Sequence, residues 1–66
     1  MREGRAYKPT AGMVRELAAA ALGDPAPEML EHQACRLRGL IDRRGRMTAV
    51  GDAVLRAELR RRAVHA

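Results

Sequence analysis

The sequence predicts an all-α fold, a small bundle of three helices in a single domain. Composition is the first reason. The 66-residue chain is 47% hydrophobic yet lacks Phe and Trp, and Tyr7 is its one aromatic residue. A core built from Ala, Leu, Ile, Val and Met suits close helix–helix packing better than a sandwich of strands. Spacing is the second reason, because apolar residues recur at helical intervals in three segments. Punctuation is the third: Thr10, Asp24 and Thr48 stand where helix N-caps are needed, and Gly23 stands where a helix must stop. A chain this short buries only about 60% of its unfolded surface, so its stability is expected to be modest or partner-assisted.

Residues 1–9 are polar, aperiodic and broken by Gly4 and Pro9, and are expected to form a flexible arm ahead of a domain at 10–66. The first helix is expected to start after Thr10 and end before Gly23, with Val14, Leu17, Ala18 and Ala21 on one apolar face. Gly23-Asp24-Pro25-Ala26-Pro27 follows as a short stiff connector, with Asp24 positioned to cap the next helix. The second helix is expected from about Pro27 to Arg43, with Leu30, Ala34, Leu37 and Ile41 as its stripe and Met29 and Leu40 widening it. Gly39 costs that helix about 1 kcal/mol relative to Ala, which marks it as a place to end or bend. Arg43-Arg44-Gly45-Arg46 reads as a tight basic turn, and the third helix follows from about Ala49 to Val64.

The third helix carries two apolar strips. Val50, Ala53, Val54, Ala57 and Val64 cluster on one side, and are expected to face the core. Leu55, Leu59 and Ala63 cluster roughly opposite, and are expected to meet either a partner chain or the flanking helices.

Charge is divided along the chain. Residues 1–33 hold four basic and five acidic side chains, a balance of −1; residues 34–66 hold nine arginines against three acids, a balance of +6. The basic half raises the expectation of an acidic partner such as nucleic acid. Arg36, Arg38, Arg43, Arg44 and Arg46 form the main cluster, and Arg60 to Arg62 a second one. Guanidinium forks match phosphate oxygens and guanine edges. Recognition by base stacking on aromatic platforms is disfavoured, since Tyr7 is the only Phe, Tyr or Trp in the chain.

Other chemistries are poorly provided for. The chain contains no serine, so a Ser-His-Asp nucleophile is impossible. His32 and Cys35 lie at i, i+3 on one predicted helix, but a lone cysteine beside an apolar stripe is expected to be a small core hydrophobe. Glu28, Glu31, His32 and Cys35 share that segment without a second ligand cluster beyond His65, so a solvated polar face is expected in place of a zinc site. No catalytic residue, metal or cofactor is therefore assigned, and the chain is read as a non-enzyme. Lone Cys35 forms no internal disulfide. The longest uncharged apolar stretch, Leu17 to Leu22, falls far short of the roughly 20 residues a membrane span needs. With no readable signal peptide, the expected location is cytoplasmic.

From Leu37 onward the chain reads L-R-G-L-I-D-R-R-G-R-M-T-A-V-G-D-A-V-L. This stretch, residues 37–55, resembles winged helix-turn-helix transcription regulators between recognition helix and last helix. Gly39-Leu40-Ile41, Gly45-Arg46 and Thr48-x-x-Gly51 stand at the matching places. The resemblance implies a degenerate helix-turn-helix in which the first two helices form the motif. The second would enter the major groove with Arg36, Arg43 to Arg46 would line the wing, and the last helix would dimerise. Two features depart from the family pattern. Only Arg46 and Met47 separate Gly45 from Thr48, so a wing and a plain helix–helix turn both stay open, and residues 1–9 do not supply the usual first helix.

Two functions follow as expectations. One is a small regulatory protein of bacterial or phage type that binds duplex DNA through Arg36, Arg38, Arg43, Arg44 and Arg46. The other is a helical interaction module without a nucleic-acid role, a subunit or adaptor that docks as a homodimer or onto a protein partner through Leu55, Leu59 and Ala63.

Overall fold

Three helices carry the fold in the computed structural model, which describes residues 8–65, with side chains through Val64. They are α1 (Ala11–Ala21), α2 (Leu30–Leu37) and α3 (Ala49–His65). Among the described residues no helix is long and apolar enough to cross a membrane. Most of the expected arm, residues 1–7, lies outside the described residues, as does the side chain of His65.

The central element is α1, which packs against both other helices. Its start follows the expectation: the Thr10 hydroxyl accepts the Met13 N–H at 3.1 Å, satisfying one of the amides a helix leaves open at its N-terminus. At its other end the Asp24 N–H donates to the Ala19 carbonyl at 2.8 Å and the Gly23 N–H to Ala20 at 3.0 Å, closing the last turn. The buried face comprises Met13, Val14, Glu16, Leu17 and Ala20, so the stripe is rotated from the expected one and Ala21 faces solvent.

The second helix differs more. It spans only 8 residues and begins at Leu30, with Met29 at the cap position and no side-chain cap bond, so Asp24 does not cap it. Gly39 ends it. At φ +74° this residue occupies the left-handed region, and the Leu40 N–H donates back to the Cys35 carbonyl at 2.8 Å. The chain therefore turns before Leu40 and Ile41, which enter the core from a loop and not from a helix. They take the place that the expected stripe would have filled. Leu30 and Leu37 are consequently 77% and 88% exposed, while His32 and Cys35 face inward.

Ile41 then pairs with Met47 in a single antiparallel bridge. The Asp42 N–H donates to the Arg46 carbonyl at 2.8 Å and the Thr48 N–H to Leu40 at 3.0 Å, so residues 41–47 form a minimal hairpin. This is more than a plain helix–helix turn and less than a two-stranded wing. Thr48 closes it and opens α3: its hydroxyl donates to the Gly39 carbonyl at 2.6 Å and accepts the Gly51 N–H at 3.0 Å.

Gly51 decides which face of α3 turns inward. A Cβ there would fall inside contact distance of the Leu40 carbonyl oxygen and 2.9 Å from Met47 Cγ. Only glycine lets the helix approach this backbone, so position 51 faces in, and Leu55 one turn later faces in with it. Leu55 is 7% exposed and belongs to the core with Leu17, Leu40 and Ile41. This changes the expected arrangement in part: Val54 packs against the core as expected, and Leu55 meets the intramolecular core, one of its two expected destinations. Val50, Ala53, Ala57 and Val64 face solvent, and Leu55 is withdrawn from any partner surface, whereas Leu59 and Ala63 remain exposed.

Gly51→Ala separates two effects of opposite sign. Helix propensity favours Ala by about 1 kcal/mol, but overpacking against backbone costs about 3 kcal/mol or more here, at the upper end of its usual range. A net loss of about 2 kcal/mol is expected in urea unfolding, and an unchanged or raised midpoint would contradict the close approach.

Candidate nucleic-acid interface

The placement of α2 rests on a buried polar brace. Glu16, pointing inward from α1, accepts the Ala26 N–H at 2.7 Å and lies 2.7 Å from His32 Nδ1 through the same oxygen, Oε2. His32 is 1% exposed and Glu16 is buried. A carboxylate withdrawn from water needs such partners, and these two come from the connector and from α2. One acidic side chain thus fixes both the path of the loop and the rotation of α2. The expectation of a solvated polar face fails for His32, whereas Cys35 takes the core position that its place beside the apolar stripe predicts. His32 turns inward because Glu16 holds it, and Cys35 is fully buried.

Cys35 behaves as a core residue. Its thiol donates to the Met13 carbonyl at 3.7 Å. Burial, with the Glu16 and Glu31 charges adding to it, pushes the thiol up, the opposite of what an activated nucleophile needs. Among the described residues no group of three or more His, Cys, Asp or Glu side chains is placed to hold a metal ion.

Arg36 and Arg43 come together. They line one open groove of about 660 Å³ with Pro27, Gln33, Leu37, Ile41 and Asp42. Arg36 arrives from the last turn of α2 and Arg43 from the hairpin. Neither makes an ion pair among the described residues. The hairpin is seated close by, since a Cβ at Gly45 would lie 3.5 Å from Pro25 Cγ and 3.9 Å from His32 Cε1.

Arg44 and Arg46 are exposed on the same turn, which Asp42 organises: its Oδ1 accepts the N–H of Arg44 and of Arg46, each at 2.9 Å. The Arg46 N–H, then the Arg44 N–H and both guanidinium charges, hold the Asp42 carboxyl below the usual aspartate range. Arg38 is exposed at the end of α2 but does not line the groove. The second arginine cluster is set apart. Arg61 pairs with Glu58 and Arg56 with Asp52, and Arg61 and Arg62 line a smaller hollow with Lys8 and Glu58.

Gln33 and Leu37 join the groove although the sequence points to neither as a site residue. The spacing of Leu37 assigns it to the core, and Gln33 carries no signal beyond lying three residues before Arg36.

Comparison of the chain with family models, curated proteins and solved structures finds no match. The resemblance of residues 37–55 to winged helix-turn-helix regulators therefore stands on those residues alone.

Two outcomes follow from the brace and the turn. Glu16→Ala leaves the Ala26 amide and a buried imidazole without their partner and is expected to cost about 2–4 kcal/mol. In a domain this small that is most of the stability, so far-ultraviolet circular dichroism should report a largely unfolded variant; a native-like melt would remove the brace from the account. The turn should depend on pH through Asp42. Its folded-state pKa is depressed, so its contribution is present above the unfolded value and is lost as pH falls through the folded one. The Arg44 and Arg46 amide resonances should hold their positions through the ordinary aspartate range and move only below it. A midpoint at the ordinary aspartate value would contradict the bonding described.

Proposed function

We propose that this chain is a small regulatory protein that binds duplex DNA through α2 and the hairpin, with no catalytic role. The observation that carries the reading is the meeting of Arg36 and Arg43, from two different elements, in one groove where neither is paired with a carboxylate among the described residues. Arg44 and Arg46 extend the basic surface along the turn, and Arg38 adds charge at the end of α2. Asp42, the one acid in the groove lining, is committed to backbone amides of its own turn. Guanidinium groups held this way bind phosphate oxygens and release condensed counterions.

A second reading, docking through α3 to a second copy or another protein, is favoured by the exposure of Val50, Leu59, Ala63 and Val64 along one helix. Light scattering on the free protein separates the two. A stable dimer that loses its association on Leu59→Glu, with DNA affinity unaffected, would favour docking.

For the DNA reading, four contacts from Arg36, Arg43, Arg44 and Arg46 imply a logarithmic salt slope of about −3.6, hence roughly a 100-fold loss of affinity between 50 and 200 mM salt. Arg43→Ala should flatten that slope by about one. Fluorescence anisotropy with a labelled duplex measures both, and binding that is absent at low salt or indifferent to salt would overturn the proposal.

A further inference from the structure

The outward face of α2 carries a pattern that the arginines do not explain. Leu30 and Leu37 are 77% and 88% exposed with Gln33 between them. At about 100° per residue, Leu30 and Leu37 lie within roughly 20° of one another, with Gln33 about 60° from Leu30 and Arg36 a further 60° round. Arg36 therefore stands on the flank of this face, on the side where it shares the groove with Arg43 of the hairpin. The face itself is apolar–amide–apolar, bordered by two guanidinium groups. Two leucines kept in water beside cations suit an occupant that is anionic at its edge and offers apolar groups within.

Duplex DNA at A·T pairs has that chemistry. In the major groove thymine presents a C5-methyl group, and adenine an N6 donor beside an N7 acceptor, which an amide matches with its own oxygen and nitrogen. Guanine presents two acceptors and no methyl, and suits an arginine instead. Dimensions agree: Leu30 to Leu37 spans about 10 Å of helix, close to three base-pair steps of about 3.4 Å, and the groove is about 12 Å wide.

We infer that the Leu30–Gln33–Leu37 face of α2 reads A·T base pairs. The leucines contact thymine methyls, Gln33 meets an adenine edge, and Arg36 and Arg43 hold phosphates beside them. The inference rests on the DNA reading above and deepens it.

The test selects duplexes from a random pool with the full 66-residue chain, then replaces thymine by uracil in the selected site, which removes only the methyl groups. Enrichment of a core of about three to four A·T pairs is expected. Each contacted methyl removed should weaken binding about three- to fivefold, the worth of one buried methyl group. Leu37→Ala, a change at an exposed position, should bind the thymine and uracil duplexes more nearly alike, and Gln33→Ala should lose preference at one adenine while the salt slope stays the same. A G·C core, or equal binding of thymine and uracil duplexes with a steep salt dependence retained, overturns the inference and leaves the DNA reading standing. Absence of salt-dependent duplex binding overturns both.

Discussion

The arrangement depends on a carboxylate that cannot stay buried alone. Glu16 enters the interior among Met13, Val14 and Leu17, where an unpaired charge is far more costly than in water. It is stabilised there by drawing in two donors, the Ala26 amide and the His32 ring. Those bonds set the route of the connector and turn His32 toward α1. Once His32 points inward, the geometry of a short helix places Leu30, Gln33 and Leu37 outward. The exposed face that we assign to DNA is thus the other side of the residue that Glu16 holds.

A second constraint acts on the C-terminal half. Gly39 stops α2 so that Leu40 and Ile41 fold into the core, and Gly51 lets α3 lie directly against the Leu40 backbone. Between them the chain has room for a hairpin with one bridge. That hairpin is short, yet Asp42 and two backbone amides give it a defined shape, and Gly45 seats it over Pro25 and His32. Brace and hairpin therefore meet at His32, and together they bring Arg36 and Arg43 into one groove.

Local signals proved legible in the sequence and long-range ones did not. Thr10, Gly23, Gly39 and Thr48 mark helix ends because each acts on backbone groups within a few residues of itself. The grouping of Arg43, Arg44 and Arg46 on one turn follows from adjacency. The facing of α2 was misread because spacing arguments place hydrophobic residues inside, and here a histidine takes the inner position through a bond to a residue 16 positions away. With only two turns of helix, the apolar pattern fits more than one rotation. The facing of α3 was legible only in part, with Val54 alone of its expected inward strip packed against the core, for a related reason. Both strips are apolar, and the choice between them lies with Gly51, whose meaning appears only when the Leu40 backbone is beside it.

The most direct measurement of the whole account is a titration of the isotopically labelled protein with a duplex, followed by amide and arginine side-chain resonances. The account predicts that shifts concentrate on Leu30, Gln33, Arg36, Leu37 and the hairpin from Asp42 to Arg46, while the outward strip of α3 at Val50, Ala53 and Ala57 stays unperturbed. Shifts confined to α3, or a spectrum unchanged by saturating duplex, would contradict it.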